Sequence, residues 1–280
     1  MALQFEGKVA FITGAARGQG RSHAVRFAEE GADIIAMDLC EQIGSVAYPM
    51  ARPEDLDETV NLVEKTGRRI VAEQGDVRDF EKLKAIVAKG VSELGRIDFV
   101  LANAGILPLA GEQGQTILAF DDAVDVMLKG VYYTMEAALP ALPALLEHGE
   151  GGAIVITSST AGLTGMHTRF SMRNHGGAGY IAAKHGVVGI MRAYANMLAE
   201  KNIRVSTVHP TGLASPMIVN QQIEQLLGDQ PEYGVAFENL LPVPAIEASD
   251  ISEAMVYLCG KSGRYITGIT LPVDAGFAVK

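Results

Sequence analysis

Residues 8–20, KVAFITGAARGQG, decide the fold class because they join a short apolar run to a glycine-rich turn. The apolar run predicts a buried strand, and the amphipathic stretch that follows at 22–31 predicts a helix. Glycine lets a backbone approach a pyrophosphate closely, and the free N–H groups at the start of a helix bind that anion. The stretch therefore predicts a nucleotide-binding unit of an α/β protein. The turn contains Gly14, Arg17, Gly18, Gln19 and Gly20.

The alternation of apolar runs and amphipathic stretches continues along the chain. The later runs IDFVLA (97–102) and AIVIT (153–157) are nearly continuous apolar runs, which are typical of parallel strands buried on both faces. This order predicts a single Rossmann-type doubly wound parallel sheet with helices on both faces, in one dinucleotide-binding catalytic domain over 1–280. Two connections, 39–56 and 211–245, are too long for ordinary turns. We expect 211–245 to form a substrate lid.

The composition excludes several classes of protein. A net charge of −10 without clustered Lys and Arg argues against a nucleic-acid partner. Two cysteines, Cys40 and Cys259, rule out a disulfide scaffold, and none of the six histidines shows metal-ligand spacing. The first predicted strand begins within eight residues, which leaves no room for a signal peptide, and no apolar run has the length of a membrane span. We therefore expect a cytoplasmic protein with no metal site and no membrane partner.

Tyr180, Lys184 and Ser159 form the candidate catalytic set. On a helix, positions 180 and 184 lie about one turn apart on one face, so the ammonium can approach the phenol. Lowering a tyrosine pKa by two to three units requires roughly 3–4 kcal/mol, which Lys184 and a positive nicotinamide can supply. Tyr180 is then an acid/base for hydride transfer, and Ser159 holds the substrate oxygen. A second Y-x-x-x-K pair, Tyr257 and Lys261, has no serine-terminated strand before it, and we expect it to be structural.

The choice of cofactor depends on Asp38, which follows the second predicted strand. A carboxylate at this position accepts hydrogen bonds from the adenosine ribose. Arg17 could instead pair with the 2′-phosphate of NADP. Because Asp38 would repel that phosphate at close range, the sequence favours NAD over NADP.

Several ordered motifs resemble those of the short-chain dehydrogenase/reductase family over essentially the full length. They are TGAARGQG at 13–20, Asp76-Val77, ANAG at 102–105, Ser159, Tyr180 with Lys184, HP at 209–210 and PVDAG at 272–276. The resemblance implies a hydride transfer between nicotinamide and an alcohol. It also implies cofactor contacts, beyond the glycine turn and Asp38, from Asp76, Val77, Asn103, Ala104, Gly105, Tyr180, Lys184, Pro210, Leu213 and Ser215.

Residues 13–38 and the connection that follows resemble the carveol dehydrogenase branch of this family, which is linked to mycofactocin. The resemblance implies that NAD is held without free exchange and that electrons leave through a mycofactocin redox partner. An insert over 39–56 would then obstruct the adenosine end of the cleft. The family's habit of pairing helices between subunits also implies a homotetramer, with which the small residues around 182–195 are consistent.

One position departs from the family pattern. Met127 stands where the family has the asparagine of N-x-x-G, to which the resemblance assigns a proton relay through a water held against the lysine. A thioether cannot replace the amide, although the backbone carbonyl could still bind that water. This departure motivates an alternative function, a low-turnover NAD(P)-binding redox sensor. A sugar-nucleotide epimerase or dehydratase is disfavoured because no second substrate domain follows.

The predicted lid is rich in apolar side chains, which exclude water and bind apolar molecules. Plain core packing would explain the same pattern. The candidate wall residues are Met217, Ile218, Leu226, Leu227, Tyr233, Phe237 and Leu240, with Leu107 and Leu109. The connection between Ser159 and Tyr180 is longer than in the family, and we interpret it as a solvated lid edge. The sequence is compatible with a small hydrophobic secondary alcohol, such as a carveol-like terpenoid, as substrate.

Overall fold

The structure is a computed structural model that describes residues 3–141, 151–166 and 169–280. Across these residues seven strands form one sheet, and every neighbouring pair is parallel. The spatial order is β3-β2-β1-β4-β5-β6-β7, so the order reverses between β1 and β4. The prediction of a doubly wound parallel sheet is confirmed. The strands are β1 Val9–Thr13, β2 Asp33–Asp38, β3 Ile70–Gln74, β4 Phe99–Ala102, β5 Gly152–Thr157, β6 Ile203–Pro210 and β7 Thr270–Val273.

Helices cover both faces of the sheet. They are α1 Gly18–Glu29, α2 Pro53–Lys65, α3 Phe80–Leu94, α4 Ile117–Val124, α5 Gly130–Ala138, α6 His175–Leu198, α7 Gln221–Asp229, α8 Glu232–Ala236 and α9 Ala248–Cys259. A π-helical turn, Asp125–Lys129, joins α4 to α5 and contains Met127. None of the described helices is long and apolar enough to cross a membrane.

Neighbouring residues of each central strand point into opposite cores. In β1, Phe11 joins a cluster with α3, α5 and α6, whereas Ile12 joins a cluster with α1, α2 and α9. Ile35 and Ile34 of β2 divide in the same way. Both faces therefore require apolar residues, which explains why these strands are continuous apolar runs.

The two long connections have different structures. Residues 39–52, which we call the insert, form no helix or strand, yet Ile43, Val46 and Tyr48 within them are buried. The connection 211–245 contains α7 and α8. Cys40 and Cys259 are both buried and form no disulfide.

Candidate active site at the carboxyl ends of the strands

The three glycines of the first turn serve different purposes. A Cβ added at Gly20 would lie 1.9 Å from the Gly14 carbonyl oxygen, and one at Gly14 would lie 2.8 Å from the Ala104 Cα. These two glycines let parts of the protein backbone approach each other. Gly18 has φ +55°, and a Cβ there would come no closer than 4.0 Å to its nearest neighbour, Ser215. Gly18 therefore faces an open cleft, at the start of α1, where backbone N–H groups are free to bind an anion.

Asp38 lies at one end of this cleft. Its carboxylate accepts hydrogen bonds from the backbone N–H of Ala16 at 3.0 Å and of Cys40 at 3.1 Å. Burial raises the pKa of Asp38, while these hydrogen bonds oppose that change. A carboxylate has about four acceptor positions, so capacity remains for ribose hydroxyls. Arg17 donates to the Pro49 carbonyl of the insert at 2.8 Å.

The cleft continues from Asp38 to Tyr180 and brings together most of the predicted cofactor residues. Its lining includes Gly14, Arg17, Gly18, Gln19, Asp38, Asp76, Val77, Asn103, Ala104, Gly105, Tyr180, Lys184 and Ser215. The predicted residues outside this lining are Gly20, Ser159, Pro210 and Leu213. The Gln19 side-chain oxygen is buried without a hydrogen-bond partner. The open space at Gly18, this unpartnered oxygen and the carboxylate at the far end fit an extended dinucleotide.

Tyr180 and Lys184 lie on α6 at the other end of the cleft. The Lys184 ammonium is 5.6 Å from the centre of the Tyr180 ring and donates to the Thr157 carbonyl at 2.7 Å. Burial lowers the pKa of Lys184 to about 7. Burial also raises the pKa of Tyr180, and a hydrogen bond between the Tyr180 and Ser159 side chains lowers it in part. The three predicted catalytic residues are therefore neighbours.

His209 fixes the backbone at Ser159. Its Nδ1 lies 2.7 Å from the Ser159 carbonyl oxygen, and its Nε2 lies 2.7 Å from the Thr207 hydroxyl. A carbonyl can only accept, so we assign the proton to Nδ1 and let Thr207 donate to Nε2. Burial lowers the pKa of His209 to about 4, which keeps the ring neutral. In the sequence the HP pair is only a family motif, and this contact of His209 was not predicted.

Met127 is buried beside the lysine. A Cβ added at Gly105 would lie 3.6 Å from the Met127 sulfur and 3.7 Å from the Lys184 nitrogen. The Gly130 N–H bonds to the Asp125 carbonyl, which gives the turn its π-helical geometry. An apolar thioether thus occupies the neighbourhood in which the resemblance places an amide.

The insert crosses the cleft and is tied to the opposite side. The Tyr48 oxygen accepts the backbone N–H of Leu107 at 3.1 Å, and the Ser45 hydroxyl donates to Asp122 at 2.7 Å. Arg78 holds the other Asp122 oxygen at 3.0 Å and also pairs with Asp76. The length of this connection and its resemblance to the carveol dehydrogenase branch were the sequence signals for its role. Its cleft-lining residues, Leu39, Ile43, Tyr48, Met50 and Ala51, were not predicted individually.

The predicted lid packs against the connection that precedes α6. The Tyr233 hydroxyl donates to the Met172 carbonyl at 3.0 Å, and Ser171 donates to Glu232 at 2.8 Å. Met217 lines the cleft, whereas Leu240 is 60% exposed and does not.

The predicted apolar wall and the second Y-x-x-x-K pair occupy separate regions. Leu107 and Leu109 are buried in the same cluster as Tyr233. Tyr257 is partly exposed on α9, and neither it nor Lys261 lines the cleft.

Comparisons with known proteins agree with this geometry. A protein-family model described as enoyl-(acyl carrier protein) reductase matches residues 14–278. A putative short-chain type dehydrogenase/reductase of Mycolicibacterium smegmatis is 48% identical, with all of both chains covered. The (−)-trans-carveol dehydrogenase of Rhodococcus erythropolis is 42% identical over 98% of this chain and 99% of its own. Carveol dehydrogenase from Mycobacterium avium in complex with NAD superposes with a TM-score of 0.88 at 46% identity, covering 99% of each chain. The chain belongs to the short-chain dehydrogenase/reductase family of oxidoreductases.

Proposed function

We propose that this protein is an NAD-dependent dehydrogenase of a hydrophobic secondary alcohol, with Tyr180 as acid/base. The observation that carries the proposal is the position of Tyr180, with its ring centre 5.6 Å from the Lys184 ammonium and beside Ser159, at one end of a cleft that fits a dinucleotide. Solved relatives bind NAD, and the Rhodococcus relative acts on carveol. NAD is favoured over NADP because the Asp38 carboxylate lies at the ribose end, where it would repel a 2′-phosphate.

The residues divide the chemistry between them. Bound NAD supplies the hydride acceptor and a positive charge. Ser159 holds the substrate oxygen, and Tyr180 takes the alcohol proton at its phenol oxygen, or returns it in the reverse reduction. Burial disfavours the charged forms of both Tyr180 and Lys184. When both are charged, the Lys184 ammonium attracts the Tyr180 phenolate, and this attraction offsets part of the cost of burial. Met217 lines the cleft with an apolar side chain, which favours a hydrophobic, carveol-like substrate.

Replacing Tyr180 by Phe tests the catalytic assignment. The variant keeps the ring but loses the proton-transfer group, so kcat should fall by about 10²–10⁴-fold while NAD binding stays nearly unchanged. Tyr257→Phe removes the hydroxyl of the other Y-x-x-x-K pair and is the matched control. Retention of more than about a tenth of the wild-type kcat in Tyr180→Phe would exclude Tyr180 as the acid/base.

Met127 supports the second candidate, a redox sensor that binds NAD(P) and turns over slowly. The thioether offers no hydrogen bond to a water beside Lys184. A panel of secondary alcohols separates the two functions: steady turnover of any of them supports the dehydrogenase. The sensor is supported if NAD binds, no alcohol is oxidised, and Met127→Asn then brings turnover.

We further propose that NAD exchanges slowly and that electrons pass to a separate redox partner of the mycofactocin type. The insert supports this proposal because Arg17, Leu107 and Asp122 anchor it across the cleft. Purified protein should then carry NAD and oxidise an alcohol well only with an artificial electron acceptor. Ser45→Ala should raise the NAD release rate, whereas Ser262→Ala on the exposed surface should not. Sub-second release of NADH from the intact protein would contradict slow exchange.

We also propose a homotetramer. Large apolar side chains are exposed on α4, α5 and α6, where pairing of helices between subunits would bury them. They are Ile117, Leu118, Phe120, Tyr132 and Met197. Native mass spectrometry should give a tetramer, and Ile117→Lys should dissociate it. A monomeric wild type would refute the proposal.

A further inference from the structure

Tyr48 combines burial with an unused hydrogen-bond donor. Its side chain is 3% exposed, yet it lines the cleft together with Tyr180. Its oxygen accepts the Leu107 N–H, and among the described residues no group accepts the proton of its hydroxyl. Burial raises the pKa of Tyr48 to about 12, so this proton is present at neutral pH. A buried donor without an acceptor is costly, and in a ligand cleft the missing acceptor is most simply an atom of the ligand.

The backbone around Tyr48 is held in place from several sides. The Gln42 side-chain amide donates to the carbonyls of Ile43, Val46 and Tyr48, and its oxygen accepts the Met50 N–H. Arg17 donates to the next carbonyl, that of Pro49. The irregular insert therefore presents Tyr48 in a fixed position, as a preorganised binding group requires.

The position of Leu107 indicates which part of the ligand the hydroxyl meets. Leu107 follows Gly105 by two residues, and Gly105 lies beside the Lys184 ammonium. The Tyr48 hydroxyl thus bonds a backbone segment two residues from the glycine beside Lys184. Arg17 of the glycine turn and Tyr180 both affect the pKa of Tyr48. These neighbours indicate the part of the ligand that joins the pyrophosphate to the reacting ring.

We propose that Tyr48 is a cofactor-binding residue, whose hydroxyl donates a hydrogen bond to an oxygen of the pyrophosphate or the adjoining nicotinamide ribose. The insert then completes the dinucleotide site in addition to covering it. The inference rests on NAD as the cofactor in the proposed function and is independent of the catalytic role of Tyr180.

Equilibrium binding to the Tyr48→Phe variant, after removal of copurified nucleotide, tests the proposal. The affinity for NAD and for ADP-ribose should fall about 5- to 100-fold, the range for loss of one hydrogen bond to a neutral or charged acceptor. The affinity for AMP, which lacks the pyrophosphate bridge and second ribose, should change less than about twofold. Tyr265→Phe, at a tyrosine that is 87% exposed, is the matched control.

Two results would overturn the proposal. Unchanged NAD affinity would show that the hydroxyl makes no contact, and an equal loss for AMP would show that the substitution disturbs the whole site. Should Tyr48→Phe fail to fold, 3-fluorotyrosine at position 48 retains the hydroxyl and gives a second measurement. Its ¹⁹F resonance should shift with NAD and ADP-ribose but not with AMP, and equal shifts with all three would also refute the contact. None of these readouts requires alcohol turnover, so a negative result for Tyr48 can be distinguished from a failure of the proposed dehydrogenase activity.

Discussion

Acidification should destabilise this fold through two buried histidines. His23 of α1 is fully buried against α9, where its Nδ1 lies 2.8 Å from the Ser252 hydroxyl, and burial lowers its pKa from 6.5 to about 3. His209 behind Ser159 has its pKa lowered to about 4 by burial. Both rings are neutral in the folded protein, whereas in the unfolded chain they take up protons near their ordinary pKa. Stability is therefore fully present above about pH 6.5 and falls as the pH drops towards 4 and 3.

The magnitude follows from the difference between the folded and unfolded pKa. At about pH 5 an unfolded histidine is almost entirely protonated, while both buried rings remain neutral, so each costs about 2 kcal/mol of unfolding free energy. Together they remove about 4 kcal/mol between about pH 7.5 and pH 5, against a typical total of 5–15 kcal/mol for a domain.

Urea unfolding followed by circular dichroism at several pH values measures this loss. The His23→Asn variant keeps a polar atom for Ser252 but cannot titrate, so about half of the pH-dependent loss should disappear. His209→Asn should remove the other half, although it also loosens Ser159. If His23→Asn shows the same pH dependence as the wild type, His23 is not held neutral by burial and the reasoning is refuted.

Two further predictions concern the glycine turn and the ribose end of the cleft. Asp38→Asn loses the charge and one of the two carboxylate oxygens that separately accept the Ala16 and Cys40 N–H groups, so the KM for NAD should rise about 10- to 100-fold. The KM for NADP should fall, because the carboxylate that repels the 2′-phosphate is removed; steady-state kinetics with both cofactors measures the changes, and a wild type that prefers NADP would contradict them. Gly20→Ala should destabilise the fold by at least about 3 kcal/mol in urea unfolding, because its Cβ would overlap the Gly14 carbonyl. Gly228→Ala on α7 meets open space, so it should be neutral or stabilising by up to about 1 kcal/mol, and equal effects of the two substitutions would refute the steric argument.

The sequence predicts those parts of the site whose spacing is local. Tyr180 and Lys184 share a helix face whatever surrounds them, and a strand followed by a glycine turn and a helix has one common arrangement. The parallel sheet then places Ser159, at the end of β5, near that helix. These predictions require only the residue spacing of helices and the geometry of a parallel sheet. The glycine turn was predicted, and its glycines were explained by the approach of a pyrophosphate. In the structure Gly14 and Gly20 are instead required by close contacts with the protein backbone.

The insert illustrates what such reasoning cannot reach. Its position depends on two hydrogen bonds between distant parts of the chain. Ser45 donates to Asp122, 77 residues away, and Tyr48 accepts from the N–H of Leu107, 59 residues away. No periodic sequence pattern predicts these contacts, because the insert has no regular secondary structure. The same is true of His209, whose support of Ser159 depends on strand register between β5 and β6.

The segment after β4 contacts both the insert and the part of the chain against which the predicted lid packs. Leu107 donates its backbone N–H to Tyr48 of the insert, and the Leu109 carbonyl accepts from Asn174, the residue that caps α6. α6 carries Tyr180 and Lys184, and the connection just before it holds the lid through Met172 and Tyr233. Because β4 lies where the strand order reverses, this segment is beside the crevice in which a dinucleotide binds. One short backbone segment thus contacts both Tyr48 and the cap of the helix that carries Tyr180 and Lys184, so the proposed cofactor contact and the proposed proton-transfer groups share one support.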